Sequence, residues 1–381
     1  MAEAIFWGAI GVVAYVYAGF PLFVFLLAQA RPRPVRKGPA PLPTVSFIIA
    51  AYNEEGSIAK KLANTFALDY PADRLEIIVV SDGSSDRTEA IVRAEGRNRV
   101  KLVALRGRNG KTIAQNRAAE AATGEIVVFS DATTVYEPRC LRALVSNFSD
   151  PEVGCVTGWV VMGADPDATM QKGRSAYTDY DQWLRSCESK VHSIVGTAGC
   201  IAALRRKLYR PLPSDVDADV AEALEVTAQG YRVVFEDDAV VYEAGESRSI
   251  REELERRTRV IARGLRGYWY VRRVFNPFTH AWFFVDLLSH RLLRWAVPVL
   301  LMIAFGANAA LLDAPFYRFT FLAQAAFYVA AGLGYVLERR NVRPPGLFIP
   351  LYFCVVNLAP LLAVRALWRG RTTAVWETGR S

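Results

Sequence analysis

The chain has 381 residues, a hydrophobic fraction of 52% and a formal net charge of +8. This length accommodates one large domain or two ordinary ones. The positive charge does not indicate nucleic-acid binding, because no basic helix or aromatic-basic motif lies outside the flanks of the apolar segments. Five scattered cysteines without C-x-x-C spacing predict reduced thiols. None of the three histidines pairs at metal-ligand spacing, which argues against a zinc site.

Four long uncharged runs dominate the hydropathy pattern. The first, residues 4–30, holds 27 residues, more than the roughly 20 that cross a bilayer as a helix. It follows Glu3 rather than a basic residue and is too long for a cleaved signal peptide. The other runs cover 295–312, 319–337 and 346–364. The sequence therefore predicts a multi-pass membrane protein.

The charges that flank these runs bear on topology. Four basic residues in the proline-containing linker 31–42 predict a cytoplasmic location for this segment, and hence for the domain after it, at the inner (plasma) membrane. Four complete spans then place both termini outside, although the tail 367–381 contains three arginines. The last run includes Asn357 and Pro360, so a re-entrant segment remains an open alternative.

Apolar strands alternate with helices between about residues 42 and 240. This alternation predicts β-α-β units and a mostly parallel sheet that is buried on both faces. Ligands of such sheets bind outside the carboxyl ends of the strands. Three predicted strands end in polar residues, namely Asn53 with Glu54, Asp82, and Asp131. A helix cap would explain one such acid, but three at one edge predict a binding site.

Two nucleotide-binding motifs are excluded. Residues 110–112 read G-K-T, but a P-loop needs a glycine where this chain has Leu105. No G-x-G-x-x-G follows the first strand either. An acidic site can bind phosphate only through a cation, so we expect Mg²⁺ or Mn²⁺.

The segments "VSFIIAAYNEE", "IIVVSDGSSDRT", "NGKTIAQNRAAEAATGEIVVFSDATT" and "GYRVVFEDDAVVYE" occur in this order. In order and spacing they resemble the inverting family 2 glycosyltransferases, which have the Rossmann-like α/β fold called GT-A and use nucleotide-diphosphate sugars. The resemblance covers about residues 43–265. The membrane runs resemble those of polysaccharide-synthase-like members, such as cellulose, chitin and hyaluronan synthases and ceramide glucosyltransferases.

The predicted organisation has six parts. They are an N-terminal transmembrane helix (1–30), a basic linker (31–42), a GT-A domain (43–265), an interfacial amphipathic segment (266–292), a C-terminal membrane region with about three helices (293–366) and a polar tail (367–381).

The resemblance implies a donor site at the strand ends. The residues that it assigns to the base, ribose and nucleoside are Ala51, Tyr52, Asn53, Glu54 and Asp82. It assigns Lys111 to donor phosphate or sugar, although a solvated lysine in the first turn of a helix is the alternative.

The resemblance also implies a metal site. Asp131 matches the first acid of the D-x-D metal motif, whereas the third position is Thr133. One carboxylate can still hold Mg²⁺ together with diphosphate oxygens and water, so we expect metal dependence with weaker binding.

The catalytic base is expected from the segment before "GYRVVF". The resemblance assigns this role to Asp219, with Asp217 as the second choice. Asp219 and Glu222 also form a D-x-x-E capping-box pattern, which is compatible with a base at a helix N-terminus. Gly196 and Gly199 match the acceptor loop, or they are simple turn glycines.

Two arginines fall where the synthases carry Q-x-x-R-W. Arg259 keeps the diphosphate-binding arginine, Arg256 replaces the glutamine, and Val260 replaces the tryptophan. On a helix the two arginines share a face and could bind the leaving diphosphate, or a basic helix could contact anionic lipid. The missing tryptophan weakens a polymerase interpretation.

The leading hypothesis is a membrane glycosyltransferase that moves a sugar, with a UDP-sugar as the expected donor, to a lipid-linked or polysaccharide acceptor. A processive polysaccharide synthase and a degenerate, non-catalytic nucleotide-binding subunit are the alternatives.

Overall fold

The computed structural model describes residues 1–38, 41–96, 99–163, 169–243, 249–340, 342 and 344–370. The strands in chain order are β1 (Val45–Ala51), β2 (Leu75–Ser81), β3 (Val100–Ala104), β4 (Ile126–Asp131), β5 (Val135–Tyr136), β6 (Val153–Met162), β7 (Ala202–Arg205) and β8 (Arg232–Glu243). The main helices are α1 (Ala2–Ala30), α2 (Ile58–Phe66), α3 (Thr88–Gly96), α4 (Lys111–Ala121), α5 (Cys140–Ser146), α6 (Thr169–Val191), α7 (Ala218–Ala228), α8 (Ile250–Tyr270), α9 (Ala281–Ala309), α10 (Pro315–Glu338) and α11 (Pro345–Trp368).

The eight strands form one mixed sheet in the order β3-β2-β1-β4-β7-β6-β8-β5. The first four strands in this order are parallel, as the alternation of strands and helices predicts. Strand β7 is antiparallel to both β4 and β6, and it therefore joins the parallel half to the β6–β8 half of the sheet.

Strand β1 lies at the centre of the parallel half, and all seven of its residues are buried. Because side chains alternate along a strand, Phe47 and Ile49 pack into the core on one face, whereas Ile48 and Ala50 pack into the core on the other. A strand that is buried on both faces can present polar side chains to a ligand only at its ends, which is where the predicted site residues lie.

The register brings the carboxyl ends of three strands together. Ala51 is opposite Ser81 of β2, and Ala50 is opposite Asp131 of β4. The backbone N–H of Asp82 donates to the carbonyl of Ala51 at 3.0 Å. We call Ala51–Glu54, Asp82 and Asp131 the strand-end rim.

Four helices are long and apolar enough to cross a membrane, namely α1, α9, α10 and α11. Helix α9 begins at Ala281, so it includes the last part of the segment 266–292 that we expected at the interface. Helix α11 is one unbroken helix despite Pro350 and Pro360, which does not match a re-entrant segment. The predicted polar tail lies outside the described residues beyond residue 370.

Helix α6 connects the sheet domain to the membrane helices. Its residues Leu184 and Cys187 pack against Phe20 and Val24 of α1, with Trp282 of α9 at the edge of the same cluster. All five cysteines of the chain are free thiols.

Candidate active site

Asp82 follows β2 and is 4% exposed. Its two carboxylate oxygens accept the backbone N–H groups of Asn109 and Gly110 at 2.7 and 2.8 Å. Gly110 has a φ of 92°, a left-handed conformation that suits glycine, and it immediately precedes α4. Asp82 therefore fixes the loop that positions Lys111, and each of its oxygens keeps one further lone pair for a ligand.

The turn after β1 is tied to the turn after β2. Asn53 is the single non-glycine residue with positive φ among the described residues, at 51°. Its side-chain oxygen accepts the backbone N–H of Ser85 at 2.8 Å, and the backbone N–H of Glu54 donates to Thr88 Oγ1 at 2.8 Å. These bonds hold the segment that we expect to contact the base and ribose.

An aromatic ring lies at the same edge. The Arg108 guanidinium lies 4.2 Å from the centre of the Tyr52 ring, a cation–π distance. Tyr52 is half-buried. A flat, electron-rich face beside a cation suits a nucleobase and its phosphate tail.

Asp131 and Lys111 form an ion pair, with Lys111 Nζ 2.6 Å from Asp131 Oδ1. Although burial opposes the charged form, the carboxylates of Asp131 and Asp219 hold the pKa of Lys111 above its ordinary value. Asp131 Oδ1 is buried and receives no well-aligned hydrogen bond in the described part of the chain. A carboxylate oxygen is the kind of hard ligand that divalent cations prefer, and Thr133 follows Asp131 two residues later.

We did not predict a role for Lys61, which contacts residues 130 and 134 on either side of Asp131. Lys61 is 2% exposed, and its ammonium donates to Ser130 Oγ at 2.7 Å and to the Thr134 carbonyl at 2.6 Å. Burial lowers the pKa of Lys61 to about 7, while the Asp131 carboxylate opposes this shift. Lys61 thus contacts the chain on both sides of Asp131. The sequence feature that could have predicted this role is a lysine on the buried face of the amphipathic helix α2.

Asp219 lies in the first turn of α7, but it does not cap the helix. The N-cap is Asp217, whose Oδ1 accepts the backbone N–H of Asp219 at 3.1 Å. The expected capping box of Asp219 and Glu222 is therefore wrong, because the helix starts two residues earlier. Burial and the neighbouring Asp217 carboxylate raise the pKa of Asp219 to about 7, which suits a general base near neutral pH.

The two loop glycines differ in their relation to this carboxyl group. A Cβ on Gly199 would lie 2.0 Å from Asp219 Oδ1, whereas a Cβ on Gly196 would meet no atom closer than the Asp219 carbonyl oxygen at 3.9 Å. Thr197, between them, donates its N–H to that carbonyl oxygen at 3.0 Å. The loop thus fixes Asp219, and Gly199 is required by close approach.

The two predicted arginines line different cavities. Arg256 donates to both oxygens of Glu253 at 3.2 Å and lines the cavity that contains Asp219. Arg259 lines a neighbouring cavity of about 520 Å³ together with Arg263. Arg263, which sequence reasoning missed, donates to Thr112 Oγ1 at 2.9 Å, next to Lys111. Arg256 and Arg259 therefore do not line one common cavity, and Arg263 is the arginine of α8 that contacts the donor side through Thr112.

A cavity of about 300 Å³ extends from Asp219, the expected base, to the membrane helices, and we call it the base cavity. Asp217, Asp219 and Val260 line its inner end. Membrane-helix residues line its other end, namely Tyr17, Arg291, Arg294, Trp295, Val356, Asn357 and Pro360. An acceptor that reaches Asp219 by this route would approach from the membrane.

Residues 46–212 match the family model described as Glycosyl transferase family 2. This region is a glycosyl transferase family 2 domain. It contains β1 to β4 and therefore the whole strand-end rim, whereas Asp219 and α8 follow it.

Two curated relatives resemble the chain in part. An N-acetylglucosaminyltransferase of Rhizobium meliloti (strain 1021) is 31% identical over 223 residues, which are 53% of this chain and 51% of that protein. A poly-beta-1,6-N-acetyl-D-glucosamine synthase of Staphylococcus aureus (strain MSSA476) is 28% identical over 205 residues, 50% of this chain and 48% of that protein. The chain spans about half the length of the curated relatives it matches.

A solved structure matches over nearly the entire chain. It is the mannosyltransferase PcManGT from Pyrobaculum calidifontis in complex with GDP-Man and Mn²⁺, with a TM-score of 0.71 and 28% sequence identity. The alignment covers 97% of this chain and 99% of that one, so it includes the apolar helices as well as the sheet. The predicted family and the predicted fold class, a GT-A domain with one N-terminal and three C-terminal apolar helices, are confirmed.

Proposed function

We propose that this glycosyl transferase family 2 protein moves one sugar, with inversion, from a nucleotide-diphosphate donor to a lipid-linked or saccharide acceptor. Its catalytic domain faces the cytoplasm at the inner (plasma) membrane. The position of Asp219 is the observation that carries the proposal. On one side, its carboxyl group interacts electrostatically with Lys111 and Asp131. On the other side, it lines a cavity that extends to the membrane helices.

In this mechanism Asp219 accepts the proton of an acceptor hydroxyl. The acceptor oxygen forms its bond to the anomeric carbon as the bond from that carbon to the nucleoside diphosphate breaks, and the proton stays on Asp219. A single displacement of this kind inverts the anomeric centre. The ammonium of Lys111 and the guanidinium of Arg263 lie on the donor side, where the leaving group gains negative charge.

The strand-end rim is the proposed donor site. Tyr52 presents its ring to the base, and the fixed turn at Asn53 and Glu54 shapes the space for the ribose beside Ala51. Asp82 keeps a lone pair for the nucleoside while it holds the Lys111 loop in place.

Asp131, with the Thr133 hydroxyl beside it, would hold Mg²⁺ or Mn²⁺. The bound ion supplies Lewis-acid neutralisation of the diphosphate charge. The Mn²⁺ in the mannosyltransferase structure and the buried carboxylate oxygen of Asp131 both support this assignment. Lys111 Nζ lies 2.6 Å from the same carboxylate, so its ammonium would lie beside the bound ion and the diphosphate.

The arginines of α8 are proposed to act at the two ends of the reaction. Arg259 and Arg263 lie one turn apart and line the same cavity, so they suit the leaving diphosphate. Arg256 is held by Glu253 in the base cavity, where it suits an acceptor group or the far side of the donor.

Two features of the base cavity favour single transfer over processive synthesis. Val260, which replaces the tryptophan of the synthases, lines the base cavity. The small volume of this cavity, about 300 Å³, lies at the lower end of ligand pockets and suits one head group rather than a growing polymer.

A donor panel tests the proposal. The full chain, purified in detergent with added membrane lipid extract, is incubated with UDP-GlcNAc, UDP-glucose, UDP-galactose and GDP-mannose, with Mn²⁺ or with EDTA. UDP-GlcNAc is the first candidate, since the two relatives described above are named for N-acetylglucosamine. We expect metal-dependent release of nucleoside diphosphate with one donor and a product extended by one sugar. A long polymer would favour the synthase alternative, and nucleotide binding without turnover would favour the non-catalytic one.

A further inference from the structure

A second group of ionisable side chains lies outside the proposed active site, where α6 meets α9. Glu188 of α6 and Asp286 and His290 of α9 are all 0% exposed. One ligand atom of each lies within 4.8 Å of the others. We call these three residues the buried triad. They lie beside the base cavity but do not line it.

The arginines around the triad form ion pairs with a different carboxylate, that of Asp181. Arg185, Arg291 and Arg294 lie 2.9, 3.7 and 3.1 Å from the oxygens of Asp181. Although burial acts in the other direction, the guanidinium groups of Arg185 and Arg291 hold the pKa of Asp181 well below its ordinary value. Among the described residues, no lysine or arginine forms an ion pair with Glu188 or Asp286.

The contact with Asp181 also indicates the tautomer of His290. The Nε2 of His290 lies 2.9 Å from Asp181 Oδ1, so Nε2–H donates to this carboxylate. The other ring nitrogen, Nδ1, then carries a lone pair and faces Glu188 Oε1 at 2.5 Å. Two lone pairs at this distance repel each other unless the two atoms share a proton or bind the same metal ion.

The oxygens of the triad are also without donors. Both carboxylate oxygens of Glu188 and both of Asp286 are buried, and in the described part of the chain no donor from outside the triad hydrogen-bonds to them. The two carboxyl groups lie close enough to share a hydrogen bond with each other if one of them is protonated. A buried carboxylate without a partner is costly, because its lost hydration is not replaced. Two carboxylates and one imidazole lone pair therefore point to a missing positive charge.

We propose that the buried triad binds one divalent transition-metal ion of the Zn²⁺ or Mn²⁺ class. Two carboxylates balance the charge of such an ion, and a neutral imidazole is its usual nitrogen ligand. The bond from His290 to Asp181 is the outer carboxylate contact that orients metal-bound histidines in proteins. A π-helical turn over Leu287–Leu292 contains His290, and such turns are frequent at functional sites.

This ion would have a structural role that is distinct from the ion at Asp131. It would join α6, which follows the sheet strand β6, to the membrane helix α9. The adjacent Asp181, Arg291 and Arg294 line the base cavity, so the ion would also fix the wall along which an acceptor approaches.

A proton is the competing occupant. Burial and the facing Asp286 carboxylate raise the pKa of Glu188 well above its ordinary value. A protonated Glu188 could donate to His290 Nδ1 and satisfy part of the cluster without a metal. The experiment must therefore count metal ions rather than measure activity.

The test uses the full chain in detergent, on an Asp131→Ala background that removes the proposed catalytic metal site. After incubation with Zn²⁺ or Mn²⁺ and desalting, we expect about one retained ion per chain by elemental analysis. Glu188→Gln and His290→Gln on this background should lose it, and His280→Gln, at a partly exposed histidine outside the triad, should retain it. Retention below about 0.1 ion per chain before any triad substitution, or equal retention in all variants, overturns the proposal.

A second measurement does not depend on the folding of the variants. Co²⁺ added to the Asp131→Ala protein should give visible d–d absorption bands that are much stronger and at longer wavelength than those of hydrated Co²⁺, as low-coordinate protein sites do, and Zn²⁺ should remove them. Zn²⁺ should also raise the melting temperature of this protein by several degrees. Absence of both the bands and the temperature shift means that protons alone occupy the triad, and it overturns the proposal.

Discussion

At the strand-end rim, each carboxylate is fixed by a partner from a nearby loop. Asp82 accepts two backbone N–H groups from a loop about 27 residues later, and Asp131 pairs with Lys111 at the start of α4. In the wall of the base cavity, Asp181 instead forms ion pairs with arginines of distant segments, such as Arg294, which is 113 residues away. The contacts that hold the rim therefore come from segments that are near one another in the chain, whereas the cavity depends on how α6, α8 and α9 pack together.

This difference matches the two proposed tasks. A donor with a nucleotide and a diphosphate is bound by fixed backbone and one cation pair. An acceptor that comes from the membrane needs a surface built by the membrane helices. Substitutions at the rim should therefore affect metal and donor, whereas substitutions near Asp219 should affect the chemical step.

The largest effect is expected from Asp131→Ala, because the rim has no second D-x-D acid to hold the ion. Metal stabilisation of leaving-group charge contributes several kcal/mol, so turnover should fall by at least about 10³-fold. Mn²⁺-dependent donor binding, measured by calorimetry, should disappear. Asp69→Ala is the matched control, since Asp69 forms an exposed surface pair with Arg142. Full activity of Asp131→Ala in excess EDTA contradicts the metal assignment.

Asp219→Asn should reduce kcat by about 10² to 10⁴-fold, the usual cost of a lost general base. Folding should survive, because Asp217 and not Asp219 caps α7. Donor affinity should stay within about twofold, since the rim is unchanged. Asp217→Asn keeps a capping oxygen and should be much milder. If Asp217→Asn is inactive while Asp219→Asn is active, the base is two residues away from our assignment.

The pH dependence follows from the same group. Burial and Asp217 raise the pKa of Asp219 to about 7, so its carboxyl is protonated, and inactive as a base, below that pH. The value of kcat/KM should therefore rise with pH through about 7 and level off above it. An activity that stays constant between pH 5 and pH 8 excludes Asp219 as a base with a raised pKa.

Gly199→Ala should have an intermediate effect on the chemical step. The added methyl group would lie 2.0 Å from Asp219 Oδ1 and must displace the carboxylate. A displacement of about 1 Å can cost about 10²-fold in rate, so we expect a loss of about 10- to 10²-fold in kcat with unchanged donor affinity. Gly196→Ala, which meets no close atom, is the control. Equal rates for the two variants would show that the loop does not position the base.

Lys61→Met should have the smallest effect and should act on metal affinity. It removes the donors to Ser130 and Thr134 on both sides of Asp131. Contacts of this outer kind are worth about 10- to 100-fold in metal affinity, and we expect the lower end because Asp131 itself remains. The apparent KM for Mn²⁺ should rise while kcat at saturating Mn²⁺ is retained. Lys60→Met, at the exposed neighbouring position, should change neither value.

The rim could be predicted from the sequence because each element is signalled locally. Strands β1, β2 and β4 are apolar runs that end in polar residues, and parallel pairing alone brings those ends together. The exact start of α7 could not be predicted, since Asp217 and Asp219 are both good caps and tertiary contacts with the 196–200 loop decide between them.

The wall of the base cavity gave no sequence signal. Arg294 lines this wall, and Asp286 and His290 lie directly behind it. The last two belong to the segment 266–292, which we expected to be an amphipathic segment at the interface. Their partners, Asp181 and Glu188, lie about 100 residues earlier on α6. A charge that is neutralised by a distant helix can be buried in a continuous helix such as α9, and only the packed structure shows this.

The anomeric configuration of the product tests the central claim most directly. Once the donor is known, an α-linked nucleotide sugar labelled with ¹³C at the anomeric carbon is turned over, and the product is analysed by NMR. The account predicts a β-linkage from the first turnover, because Asp219 activates the acceptor for one in-line displacement. An α-linked product would require two displacements or a retained configuration, and it would contradict the assignment of Asp219 as the base of an inverting transfer.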